Sequence, residues 1–233
     1  MATIVLAHGA WSAAWAWKKM RPLMAAAGHA FFVPTYTGLG ERAHLASPDN
    51  DLETHIGDVL GVLTFEDLRD VVLIGHSYGG MVATGVAGRA SERIAQLVYL
   101  DAFVPDDGES LADFWPEAER RRRMEALHAG DGWRIAPNPV PPDTSAEDAA
   151  WVAEFRLPQS VKCFEQPLRL HTKLTMPRSY IQCMRYAERG PFGLFAARAK
   201  ADGWPVYELD ASHSPNVTAP QALMAVLQEI LSP

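Results

Sequence analysis

The chain has 233 residues, 48% of them hydrophobic and 21% charged, an ordinary globular balance with enough apolar material for one sizeable core. Its net charge of −7 gives no general attraction to nucleic acid. No apolar run reaches the roughly 18 residues of a membrane span, so neither nucleic acid nor membrane is an expected partner.

Thr3 to Ala7 is a short apolar run and reads as a buried strand. No basic segment or cleavage site precedes it, so a cytoplasmic protein is expected. Trp17 to Ala27 has helical spacing and is closed by Gly28. Ala30 to Val33 is the next strand, followed by a Gly-rich loop from Thr37 to Arg42. Leu52 to Phe65 reads as a helix, Val71 to Ile74 as a strand, Met81 to Ala90 as a small-residue helix, and Ala95 to Leu100 as a strand. Ser179 to Cys183 and Val206 to Leu209 are two further strands, and Gln221 to Leu231 is a final helix. Strands that are apolar on both faces and alternate with helices indicate an α/β fold with a mostly parallel central sheet flanked by helices.

The segment from Pro105 to Lys173 breaks this alternation. It shows no convincing strand and carries many prolines together with Trp115, Trp133 and Trp151. It reads as an inserted helical cap over 105–173, with a core made of 1–104 and 174–233. The run Arg120 to Arg123 follows Glu117 and Glu119 and reads as the solvated face of a helix rather than a phosphate site. Cys163 and Cys183 lack metal-ligand spacing and read as buried free thiols in a reducing compartment.

Gly75-His76-Ser77-Tyr78-Gly79 fits Gly-x-Ser-x-Gly. The pattern alone is weak, but here it directly follows a strand and precedes a helix, the setting that a nucleophilic serine on a sharp turn requires. Side chains flanking the serine would clash in so tight a turn, hence Gly75 and Gly79. Acyl transfer also needs two N–H donors for its oxyanion. One is the amide after the nucleophile, Tyr78. The other is sought in His8-Gly9-Ala10-Trp11, just past the first strand, where Ala10 N–H is the candidate. The imidazoles of His8 and His76 read as structural. Among eight histidines, His213 alone lies in a loop after the last strand and before the last helix, at the carboxyl edge where sites of parallel sheets form.

These pieces resemble the α/β-hydrolase family, and within it the branch of plant-type methylesterases and hydroxynitrile lyases. The resemblance rests on Val5 to Trp11, Thr37 to Arg42, Gly75 to Gly80 and His213-Ser214-Pro215. It implies Ser77 as nucleophile, His213 as base, and the Ala10 and Tyr78 amides as the oxyanion hole. One part departs from the pattern. The family usually keeps its acid after the strand that here reads Ser179 to Cys183, and the residues that follow contain no aspartate. Asp101, ending the strand after the serine helix, is the preferred acid. Glu188 is the alternative, and Asp210 is too close to His213.

The expected function is a carboxylesterase that cleaves small to medium, mostly apolar esters through an acyl-enzyme, with Phe103, Phe114, Trp115 and Trp151 as candidate cap residues over the site. A carbon–carbon lyase is the rival, though such relatives need a lysine near the base and a bulkier residue where Gly9 stands. A ligand receptor on the same fold is the third reading, and the displaced acid is its only support. No cofactor and no metal are expected. The partner is a small-molecule ester, and a homodimer stays open.

Overall fold

The computed structural model describes residues 1–170, 172–187 and 190–232. Six strands build the central sheet: β1 (Thr3–Ala7), β2 (Ala30–Phe32), β3 (Val71–His76), β4 (Ile94–Leu100), β7 (Arg178–Cys183) and β8 (Val206–Leu209). They lie in the order β2-β1-β3-β4-β7-β8, every pair parallel. Such a sheet must be covered on both faces, because helical crossovers join its strands. Alternate side chains accordingly enter two cores. Val5, Leu73, Leu97 and Tyr180 pack on one face with α2 (Leu52–Phe65), α3 (Gly79–Arg89) and α7 (Phe192–Ala201). Ile4, Ile74, Val98 and Ile181 pack on the other with α1 (Met20–Ala26) and α9 (Pro220–Leu231).

The chain leaves β1 for β2 on one side and returns to β3 on the other. The strand order therefore reverses between β1 and β3, and a crevice opens at their carboxyl ends. Two loops meet there, the one after β1 and the turn from β3 into α3.

The run from β4 to β7 leaves the sheet and holds α4 (Glu117–Ala129), α5 (Ala146–Phe155) and α6 (Lys162–Glu165). It differs from the sequence reading in two respects. A two-stranded antiparallel ribbon pairs β5 (Arg134–Ile135) with β6 (Gln159–Ser160), and strands of two residues show no period that a sequence could reveal. The arginine run is not wholly solvated either. Arg123 is 9% exposed, pairs with Glu119 at 2.7 Å, and lays its guanidinium over the Trp115 ring at 4.9 Å. The predicted helix from Trp17 to Ala27 is a 3-10 turn over Ala14–Trp17 followed by α1. Cys163 and Cys183 are free and buried. Among the described residues no helix is long and apolar enough to cross a membrane.

A close backbone approach fixes α3. A Cβ on Gly79 would lie 2.0 Å from Ala7 O, and one on Gly75 would lie 2.7 Å from Gly79 O. The first turn of α3 thus rests directly on the end of β1. We expect Gly79→Ala to cost more than about 3 kcal/mol of stability. By contrast Gly57→Ala, inside α2 with nothing within 4 Å, should be neutral or stabilising by up to about 1 kcal/mol. Urea unfolding of the two variants reads the difference, and a Gly79→Ala protein as stable as wild type would contradict this packing.

Candidate active site

Ser77 occupies the turn between β3 and α3 at φ +55°. Non-glycine residues rarely adopt this left-handed conformation, and it costs about 1–3 kcal/mol unless the surroundings over-determine it. Here they do. Ser77 N–H donates to Leu100 O at 3.3 Å, and Ser77 O accepts from Gly80 N–H at 3.0 Å and Phe103 N–H at 3.2 Å. The side chain is left at the carboxyl edge of the sheet.

His213 follows β8 and precedes α8 (Pro215–Thr218). Its Nε2 accepts from Ser77 Oγ at 2.9 Å, and its Nδ1–H donates to Asp101 Oδ2 at 2.7 Å. The sequence separations are 136 and 112 residues, so only the fold brings the three together. Asp101 stands immediately after β4, buried and also left-handed at φ +41°. Its N–H donates to Ile181 O at 2.7 Å and its Oδ1 accepts from Cys183 N–H at 3.2 Å. The end of β7 therefore grips the carboxylate from the neighbouring strand. Glu188 lies outside the described residues. Asp210 is exposed and engaged twice by Arg185, at 2.8 and 3.0 Å.

The loop after β1 runs against the serine. A Cβ on Gly9 would meet His76 Nδ1 at 3.2 Å and Ser77 Cβ at 3.3 Å, which brings the next residue, Ala10, alongside. Among the described residues neither Ala10 N–H nor Tyr78 N–H donates to a protein acceptor. Sequence reasoning did not find what shapes this loop. Tyr36 OH donates to His8 O at 3.0 Å, and its ring stacks on His8 at 3.7 Å. His55 stacks on the other side of Tyr36 at 4.6 Å and accepts from Tyr78 OH at 2.9 Å. No local pattern marks Tyr36 or His55, because their partners lie far along the chain.

The remaining histidines do other work. His8 donates from Nδ1 to Gly9 O and accepts from Tyr36 N–H, as a structural loop residue does. His76 donates from Nε2 to His213 O at 2.8 Å and thereby fixes the backbone of the neighbouring imidazole. His29 accepts from Ala2 N–H, His44 and His128 are exposed, and His171 lies outside the described residues. Above His213, the Phe192 ring stacks at 4.5 Å and 14° and joins Phe103, Phe114 and Phe195 in an aromatic cluster. Trp115 packs on Phe164, and Trp151 packs on Trp15 under Lys18. No group of three or more metal-ligating side chains occurs among the described residues.

The profile of a family described as the alpha/beta hydrolase family matches residues 4–226. The chain belongs to the α/β-hydrolase family. This hydrolase is 39% identical over 235 residues to a carbendazim hydrolyzing esterase of Nocardioides sp. (strain SG-4G), covering 96% of this chain and 97% of that one. It is 33% identical over 104 residues to methylesterase 1 of Arabidopsis thaliana, covering 44% of this chain and 40% of that one. An extracellular α/β-hydrolase from a Paenibacillus species superposes with a TM-score of 0.87 at 24% identity, over 98% of both chains. That likeness shows the shared fold.

Three imidazoles of the hydrolase are buried and neutral. Burial pushes His8 down to about 3, His55 to about 4 and His76 to about 3. In the unfolded chain they titrate near about 6.5, so between these limits the unfolded chain binds more protons and stability rises with pH. Their contribution is fully present above about pH 6.5 and is lost as pH falls, toward about 4 for His55 and about 3 for His8 and His76, by up to about 1.4 kcal/mol per pH unit for each imidazole. Urea midpoints at about pH 7.5 and about pH 5 should therefore differ, with the lower stability in acid. Equal midpoints would contradict buried neutral histidines.

Proposed function

We propose that this α/β-hydrolase is a serine carboxylesterase that works through an acyl-enzyme. One observation carries the reading, the unbroken hydrogen-bond line from Ser77 Oγ through His213 to Asp101 at 2.9 and 2.7 Å. In this reading Ser77 Oγ attacks the ester carbonyl and passes its proton to His213 Nε2. Asp101 holds the Nδ1 tautomer and stabilises the imidazolium that forms. The carbonyl oxygen becomes an oxyanion between the Ala10 and Tyr78 amides, which stand ready before the reaction. His213 returns the proton to the leaving alcohol, and water, activated by the same base, releases the acid.

The substrate reading follows from the site's surroundings. Phe103, Phe114, Phe192 and Phe195 give an apolar wall beside the base, which suits small to medium, mostly apolar esters. Similarity over nearly the whole chain to an esterase named for carbendazim puts that compound among the first to be assayed. Lyase chemistry fits less well. The neighbours of Gly9 would have to move for any larger residue, and Ser214, not a lysine, follows the base. The contact of Asp101 with His213 at 2.7 Å favours turnover over a receptor reading.

Steady-state kinetics on p-nitrophenyl esters of graded chain length test the proposal. Ser77→Ala should lose around a millionfold in kcat. Asp101→Asn should lose at least about a hundredfold, and Glu188→Gln less than about tenfold. A Ser77→Ala enzyme with a tenth of the wild-type rate would refute covalent catalysis. The reverse ranking of the two amide variants would move the acid to Glu188.

A further inference from the structure

The proposed acid sits in a backbone conformation that it would not hold unaided. At φ +41° Asp101 is strained, and its neighbour Ala102 turns the chain away from the sheet. One side chain bonds this turn. Tyr180, buried on β7, accepts from Ala102 N–H at 3.1 Å and donates to Ala102 O at 3.0 Å. The same hydroxyl lies 3.3 Å from Phe192 O at the start of α7. The Phe192 ring is the one that stacks on His213. Burial first, and the nearby Asp101 carboxylate second, hold the phenol protonated, so it keeps its donor. A single hydroxyl thus touches the backbone next to the acid and the backbone of the residue that covers the base.

We propose that Tyr180 is the positioning residue of the acid–base pair, its hydroxyl accepting from Ala102 N–H and sharing its one proton between Ala102 O and, more weakly, Phe192 O, in the register that aligns His213 with Ser77. The inference rests on the triad reading above. It also accounts for how an acid just past the end of β4 is kept in place by β7. Cys183 N–H holds the carboxylate itself, Ile181 O accepts the Asp101 N–H, and Tyr180 OH holds the residue beyond. All three grips are spaced along one six-residue strand, with Tyr180 reaching across by its side chain.

A positioning role differs from a purely structural one in what it is coupled to. If Tyr180 acts through Asp101, removing its hydroxyl matters only while the acid is present, so the two losses will not add. The test is a double-mutant cycle of Tyr180→Phe with Asp101→Asn on p-nitrophenyl acetate, with thermal melts recorded for each protein. Tyr180→Phe alone should lower kcat about tenfold or more and leave KM within about twofold. In the Asp101→Asn background it should cost less than about threefold. Equal losses in both backgrounds, or a Tyr180→Phe kcat within about threefold of wild type, would overturn the proposal. An Asp101→Asn enzyme with wild-type kcat would sink the triad reading instead, which is a distinct outcome. If Tyr180→Phe does not fold, 4-fluorophenylalanine at position 180 keeps the ring and removes the donor, and the same cycle with the same criteria decides.

Discussion

The backbone of Ser77 is the joint on which the site depends. Its N–H reaches Leu100 O, just before Asp101, and its carbonyl accepts from Phe103, just after. The serine turn and the aspartate turn are therefore one hydrogen-bonded unit, built from the carboxyl ends of two adjacent parallel strands. Both turns are left-handed, and each holds the other in a conformation that neither would favour alone. The close rest of Gly79 on Ala7 ties this unit to β1, whose following loop carries the Ala10 amide. His213 alone arrives from a distance. It is received by the Asp101 carboxylate, by His76 on its backbone and by Phe192 on its ring.

Much of this was legible in the sequence, for particular physical reasons. β1 and β3 are buried on both faces, so each begins as a plain apolar run. The serine turn declares itself because close approach leaves few residue choices at Gly75 and Gly79. His213 stands out by its place after the last strand. Other features depend on packing between distant segments. Asp101 and Glu188 compete on paper because a carboxylate's reach is a property of the folded chain, and only the pairing of β4 with β7 brings Asp101 to His213. Arg123 looks like its neighbours in an arginine run, yet Trp115 turns it inward. Tyr36, His55 and Tyr180 shape the site through contacts with residues distant in sequence, 78 positions away for Tyr180 and Ala102, and no local motif marks them.

Electrostatics sort the imidazoles. His8, His55 and His76 are buried, which keeps them neutral; His8 and His55 each serve as donor and acceptor, and His76 donates to His213 O. His213 differs in having a side chain 36% exposed, with a carboxylate at one nitrogen and a hydroxyl at the other. In the proposed mechanism it is the imidazole that receives a proton and hands it on, and His76 holds its backbone.

Covalent labelling addresses most directly whether Ser77 is the one activated nucleophile. The protein would be treated with a fluorophosphonate at neutral pH, digested, and mapped by mass spectrometry. The account predicts a single stoichiometric adduct on the peptide that carries Ser77, formed far more slowly once His213 is replaced by alanine. An adduct on another residue, or none at all on the folded protein, would contradict it.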